Sequence, residues 1–246
     1  MTWVLDLDGV VWLGGQPLPG AADAIRRLRA AGERLLFLTN NSGPRLAEHT
    51  AKLRAAGVDA EEDEVVSSAH AAAALLAPGI RAYVLGGPGV TEALERRGVI
   101  PTDDPDEADA VVVGRTEDFD YPALAAATRA VRNGARYIGT NDDATYPTPE
   151  GMVPGAGAIL AAVTTAGGRP PEVAGKPYPP TVALVRQLVG EVGTVVGDRP
   201  DTDGLLARGL GARFVLVLTG VTAREDLPVD PAPDEVAADL AAAVPR

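Results

Sequence analysis

The sequence predicts an α/β protein built on parallel sheets. Three observations point there. Short apolar runs alternate with amphipathic helical patterns along most of the chain, the order of strands joined by helical crossovers. The run at 35–38, Leu-Leu-Phe-Leu, is unbroken by polar residues, as in a strand buried on both faces. Polar residues stand directly after several strand patterns, at the sheet edge where ligands of parallel α/β proteins gather.

A first strand is expected at 4–7. A helix over 21–31 follows, with Ile25 and Leu28 on one face and Gly32 as its stop. After the strand at 35–38, residues 45–56 read as a helix ending at Gly57. Residues 65–66 read as a short strand and 69–77 as a helix. Strands at 82–85 and 110–113 flank a helix over 91–97, and a helix over 121–133 stops at Gly134 before a strand at 137–138. Then come a helix over 156–166, a strand at 173–174, a helix over 181–189, a strand at 194–196, a helix over 203–210 and a strand at 214–218. The alanine-rich tail over 234–243 reads as a last helix. Pro and Gly cluster at 77–79 and 167–180, which makes these the expected hinges. They divide the chain into a discontinuous core, 1–77 with 175–246, and an inserted α/β domain, 78–174, of ordinary domain size.

The chain has 246 residues, 46% of them hydrophobic, enough for a substantial core. No apolar run approaches the ~18 residues of a membrane-spanning helix. No basic segment precedes an apolar stretch at the N-terminus, where strand-like sequence begins at Trp3, so a secretory signal is not expected and a cytoplasmic location is. The absence of cysteine excludes disulfides, thiol catalysis and Cys-ligated zinc. His49 and His70, the two histidines, lie in helical patterns and read as surface or packing residues. A net charge of −12 argues against nucleic acid or an anionic membrane surface as partner. Of the 22 basic side chains only Lys52 and Lys176 are lysines, so the place of each is informative.

Four strand-end stretches carry the chemistry: Asp6-Leu7-Asp8-Gly9, Thr39-Asn40-Asn41-Ser42, Gly175-Lys176-Pro177, and Gly197-Asp198 through Asp203. Singly, each suits a turn or a helix cap. Together, on one edge of a sheet, they suit phosphoryl transfer. Several carboxylates can hold a hard divalent cation, which removes the repulsion between a carboxylate nucleophile and a phosphate dianion. Lys176 adds a compact positive charge. The Thr39 hydroxyl, the Asn40 and Asn41 amides and the backbone N–H groups near Gly9 can bind phosphoryl oxygens.

In this order the motifs resemble those of the haloacid dehalogenase (HAD) superfamily. D-x-D-G-V followed by Trp12, F-L-T-N-N-S at 37–42, Thr140-Asn141 with Asp143, P-G-A-G at 154–157, G-K-P at 175–177 and G-D-R-x-D-T-D at 197–203 resemble its NagD-like, 4-nitrophenylphosphatase branch. The likeness covers nearly the whole chain. It implies a Rossmann-like core with an inserted cap of the larger α/β type, and a Mg²⁺-dependent phosphatase acting on a small phosphorylated metabolite. It further implies that Asp6 is the nucleophile and forms an aspartyl-phosphate, and that Asp8 is general acid, then base. Asp6, the backbone carbonyl of Asp8 and Asp198 would ligate Mg²⁺, with Asp203 supporting the metal's waters or Lys176. Thr39, Asn40, Asn41 and Gly9 would hold the phosphoryl group, and Lys176 would neutralise Asp6 and the phosphate. Such caps often pair, so a homodimer through the inserted segment is expected.

Substrate choice is expected in the cap, where Asn141, Asp143 and Tyr146 are the residues to inspect, although a turn role suits each. Asp142 departs from the branch by standing where proline is common. Two other readings stay open here: a phosphomutase on the same core and a non-catalytic scaffold of this fold. A dinucleotide-binding protein is disfavoured by the lack of G-x-G-x-x-G after the first strand.

Overall fold

Consecutive residues of a strand face opposite sides of its sheet, and here both sides are covered. Trp3, Leu5, Leu35, Phe37, Val215 and Val217 pack with Ala24, Ile25 and Leu28 of the helix Ala21–Ala30 and with Leu53 of the helix Leu46–Ala55. Their neighbours Val4, Leu36, Leu38, Val195, Phe214 and Leu216 pack on the other face with Val185, Leu206 and Leu210. That is why the strand sequences are apolar throughout rather than alternating. The sheet has six strands, in the order Glu235–Ala237, Arg213–Val217, Thr194–Gly197, Thr2–Leu5, Arg34–Thr39 and Val65–Ser67. The registered pairs among the first five are parallel.

The computed structural model describes residues 1–148 and 151–245. They form two compact units. The first comprises Met1–Thr39, Leu46–Val66 and Val182–Arg246, and the second Asn40–Arg45 and Ser67–Thr181. The second unit is built on a five-stranded parallel sheet, ordered Glu172–Val173, Arg136–Gly139, Ala110–Val113, Arg81–Leu85, Ile100–Thr102. Val111, Val113, Tyr137 and Leu85 pack there against Ala127, Ala130 and Val131 of the helix Tyr121–Arg132 and Ile159, Leu160 and Val163 of the helix Ala156–Gly167.

Several local expectations are corrected. The first strand spans Thr2–Leu5, because the Leu7 carbonyl is taken up by a turn, accepting the N–H groups of Val10, Val11 and Trp12. The helix expected over 203–210 starts at Leu205, after a wide π-helical turn over Pro200–Gly204. The tail is a strand, Glu235–Ala237, and then a short helix, Leu240–Ala243, capped by the Asp239 side chain on the Ala242 N–H. Pairing of Val215–Val217 with 235–237 outweighs the helical preference of alanine there. Two small antiparallel ribbons, Trp12–Leu13 with Gln16–Pro17 and Thr145–Thr148 with Gly151–Pro154, carry too short a period to be read from sequence.

Candidate active site

In the first unit three acidic side chains gather where strands end. Asp6 follows Thr2–Leu5, and its N–H still bonds the Val196 carbonyl at 3.0 Å. Asp198 follows Thr194–Gly197, and Asp203 lies in the π-helical turn. All three are buried, and their carboxylate oxygens lie within 4.8 Å of one another. Glycines make the approach feasible. A β-carbon on Gly9, whose φ is +85°, would stand 2.6 Å from the Asp198 carboxyl. One on Gly220 would overlap the same carboxyl, and one on Gly197 would overlap that of Asp203. Backbone donors hold two of the carboxylates: the Val221 N–H reaches Asp198 Oδ2 at 2.6 Å and the Arg199 N–H reaches Asp203 Oδ2 at 3.2 Å. The Thr219 hydroxyl donates to the Gly9 carbonyl at 2.5 Å, tying the closing loop to the D-x-D-G turn. Three carboxylates buried together repel one another, and an all-oxygen donor set of this kind suits a hard divalent cation.

Asp8, two residues on from Asp6, is half-buried at the same turn. Its Oδ1 accepts the Trp12 indole N–H at 2.9 Å. Above the Trp12 ring, 4.1 Å from its centroid, stands the ammonium of Lys52. Burial pushes the Lys52 amine below its usual pKa, and the nearby Asp8 charge pulls it back up. Thr39 is buried at the end of its strand.

Asn40, Asn41 and Lys176 lie in the second unit. Lys176 is buried, with 4% exposure. Its backbone is clamped by Asn40: the Lys176 N–H donates to Asn40 Oδ1 at 2.8 Å, and Asn40 Nδ2 donates to the Lys176 carbonyl at 3.1 Å. Asn40 Nδ2 also donates to Asp143 Oδ2 at 3.1 Å, so both hydrogens of that amide are engaged. Gly175 allows this, since a β-carbon there would lie 2.7 Å from Asn40 Oδ1. The Asn40 carbonyl accepts the Ser68 hydroxyl and the Asn141 amide, each at 2.6 Å. Asn141 therefore serves the loop that presents Asn40. The P-G-A-G run packs on the loop of Asn141 itself: β-carbons on Gly155 and Gly157 would overlap the carbonyls of Asp143 and Asp142.

Next to this network is a small cleft lined by Asn41, Arg115, Asp143 and Tyr146. The Arg115 guanidinium lies 4.5 Å from the centre of the Tyr146 ring, and Asn41 Nδ2 donates to the Tyr146 hydroxyl at 3.1 Å. Close by, Tyr178 donates to Asp142, and that hydrogen bond, with burial, pushes the phenol up to about 12. Sequence reading passed over Arg115, Ser68 and the Trp12–Asp8 pair. Arg115 carried a usable signal, since it follows the strand Ala110–Val113 as the four singled-out stretches follow theirs. Ser68 carried none, because a serine beginning a helix is ordinary.

The chain matches a family described as haloacid dehalogenase-like hydrolase over residues 3–100, and a HAD-hydrolase-like one over residues 173–243. It is 38% identical over 232 residues to the acid sugar phosphatase of Staphylococcus aureus, spanning 92% of this chain and 89% of that protein. Among solved structures it is similar to p-nitrophenyl phosphatase from Archaeoglobus fulgidus, with a TM-score of 0.90, 32% identity, and coverage of 98% of this chain and 97% of that one. It is also similar to glycerol phosphate phosphatase from Mycobacterium tuberculosis in complex with magnesium, with a TM-score of 0.91, 37% identity, and coverage of 97% of this chain and 74% of that one.

Proposed function

The chain belongs to the haloacid dehalogenase superfamily, as a phosphatase of its NagD-like, 4-nitrophenylphosphatase branch, and on that premise we propose that it hydrolyses small phosphomonoesters with Mg²⁺ through a phosphoenzyme on Asp6. The observation that carries this reading is the buried cluster of Asp6, Asp198 and Asp203 with Asp8 on the adjoining turn. Asp6 and Asp198, with the Asp8 carbonyl, are the ligands we assign to the cation, and Asp203 supports them. The mycobacterial relative crystallised with magnesium and with calcium, both hard cations suited to oxygen donors. When bound, the cation neutralises the repulsion between the Asp6 carboxylate and the phosphate dianion.

In the first step a carboxylate oxygen of Asp6 bonds to phosphorus as the bond from phosphorus to the alcohol oxygen breaks. The departing oxygen takes its proton from Asp8. In the second, Asp8 removes a proton from water, the water oxygen bonds to phosphorus, and the bond to Asp6 breaks. Inorganic phosphate leaves, with Asp6 ionised and Asp8 protonated as at the start. Lys176 supplies positive charge to the phosphoryl group, and Thr39, Asn41 and the N–H groups at Gly9 supply its hydrogen bonds. The Asn40 side chain holds the Lys176 backbone in place, and Asn40 joins phosphate binding through that loop. We assign substrate choice to the inserted segment, 78–174, around Arg115 and Tyr146. The names of the relatives point to sugar and polyol phosphates as substrates.

The test is phosphate release from a panel of phosphomonoesters, including sugar phosphates and glycerol phosphate, with Mg²⁺ and then with EDTA. Release that EDTA abolishes and that Asp6→Asn eliminates, with the circular dichroism spectrum unchanged, is the expected result. Release that survives EDTA overturns the metal assignment, and activity retained in Asp6→Asn overturns the phosphoenzyme.

A further inference from the structure

Proton donation by Asp8 needs its carboxyl held in one orientation. The final torsion of an aspartate side chain is soft, so local bonding sets that orientation. Here the Trp12 indole N–H sits 2.9 Å from Oδ1. An indole nitrogen can only donate. Oδ1 therefore accepts from it, and that bond sets the orientation of the Asp8 carboxyl.

The indole is itself fixed. Trp12 is 1% exposed, packed in the core with Leu5, Leu7 and Val10, and its backbone N–H bonds the Leu7 carbonyl at 3.2 Å. Its ring carries the ammonium of Lys52, from the helix Leu46–Ala55, at 4.1 Å. A cation over the face of the ring draws electron density and strengthens the N–H as a donor. In a chain with two lysines among 22 basic residues, this placement stands out.

From this geometry we propose that Trp12 and Lys52 are positioning residues that fix the orientation of the Asp8 carboxyl, Trp12 by engaging Oδ1 and Lys52 by holding and polarising the indole. The proposal rests on the assignment of Asp8 as general acid, and its test separates the two. In kcat/KM, which reports the steps up to departure of the alcohol, an alkyl phosphate needs a proton on its leaving oxygen. p-Nitrophenyl phosphate does not. Asp8→Asn sets the reference: a loss on the best alkyl phosphate far larger than on p-nitrophenyl phosphate establishes the acid, and equal losses overturn that assignment rather than the role of Trp12. Given the reference pattern, Trp12→Phe, which keeps an aromatic ring and removes the N–H, is expected to lower kcat/KM about tenfold on the alkyl phosphate and less than about twofold on p-nitrophenyl phosphate. Lys52→Met is expected to give about a threefold loss of the same selectivity, restored by Lys52→Arg. Equal losses on both substrates, or no loss on either, overturn the proposal. If Trp12→Phe does not fold, Lys52→Met and its rescue decide alone.

Discussion

Asn40 and Lys176 are 136 positions apart in sequence, yet the amide of one closes on both backbone groups of the other. A buried lysine backbone held this way has little freedom to move. Replacing Asn40 by Ala leaves a buried N–H and a buried carbonyl without these partners, at a cost of about 1–3 kcal/mol per orphaned group. We expect Asn40→Ala to lower the urea midpoint and to reduce kcat/KM about as much as Lys176→Ala does, on the order of a hundredfold. Phosphate-release kinetics and urea melts check both. A normal rate in the Ala variant would show that Lys176 needs no such clamp. The residue types at this place were legible from their strand-end positions. The partner of each was not, because an amide side chain bonds whatever the fold brings to it.

The helix Ser68–Ala74 shows what one element contributes. Its N-terminus is closed by a reciprocal pair in which the Ser67 N–H donates to His70 Nδ1 at 3.1 Å while the Ser67 side chain receives the His70 N–H. The other ring nitrogen, Nε2, is buried without a hydrogen-bond partner. Burial lowers the His70 pKa below 6.5, with Glu92 and Arg96 on the facing helix Pro88–Arg96 acting in opposite senses. Folding thus favours the neutral ring. Its contribution to stability is fully present above the unfolded pKa of about 6.5 and is lost as pH falls through that value toward the lowered folded pKa. Thermal melts of the wild type should drop between pH 7.5 and pH 5 more steeply than those of His70→Gln, which keeps a capping side chain but cannot titrate. Parallel slopes would assign the acid sensitivity elsewhere. At this scale the helices and main strands were legible, since their period is local. The tail strand was not, because Glu235–Ala237 becomes a strand only through pairing with Val215–Val217.

For the whole molecule the tension is one of charge. A phosphatase of net charge −12 must admit anionic esters, and three of its carboxylates are buried side by side. A divalent cation held there would relieve the repulsion among them, so Mg²⁺ should raise the melting temperature. The increase follows ligand concentration over Kd, about 2.7 kcal/mol at a hundredfold excess over Kd. Asp198→Asn should melt higher than wild type in EDTA and lose most of the Mg²⁺-dependent increment, as scanning calorimetry would show. An increment that survives the substitution would place the cation elsewhere. The sequence by itself determined the parallel α/β class, the order of the main elements and the strand-end groups, because hydrophobic period and turn chemistry are properties of neighbouring residues. Only the tertiary structure decided that Asp203 brings its carboxylate within 4.8 Å of those of Asp6 and Asp198, that Asn40 spends its amide on Lys176 and Asp143, and that the Trp12 indole engages one oxygen of Asp8. Those choices depend on which strand ends lie side by side and on a π-helical turn that re-aims one carboxylate, and neither is encoded in a local pattern.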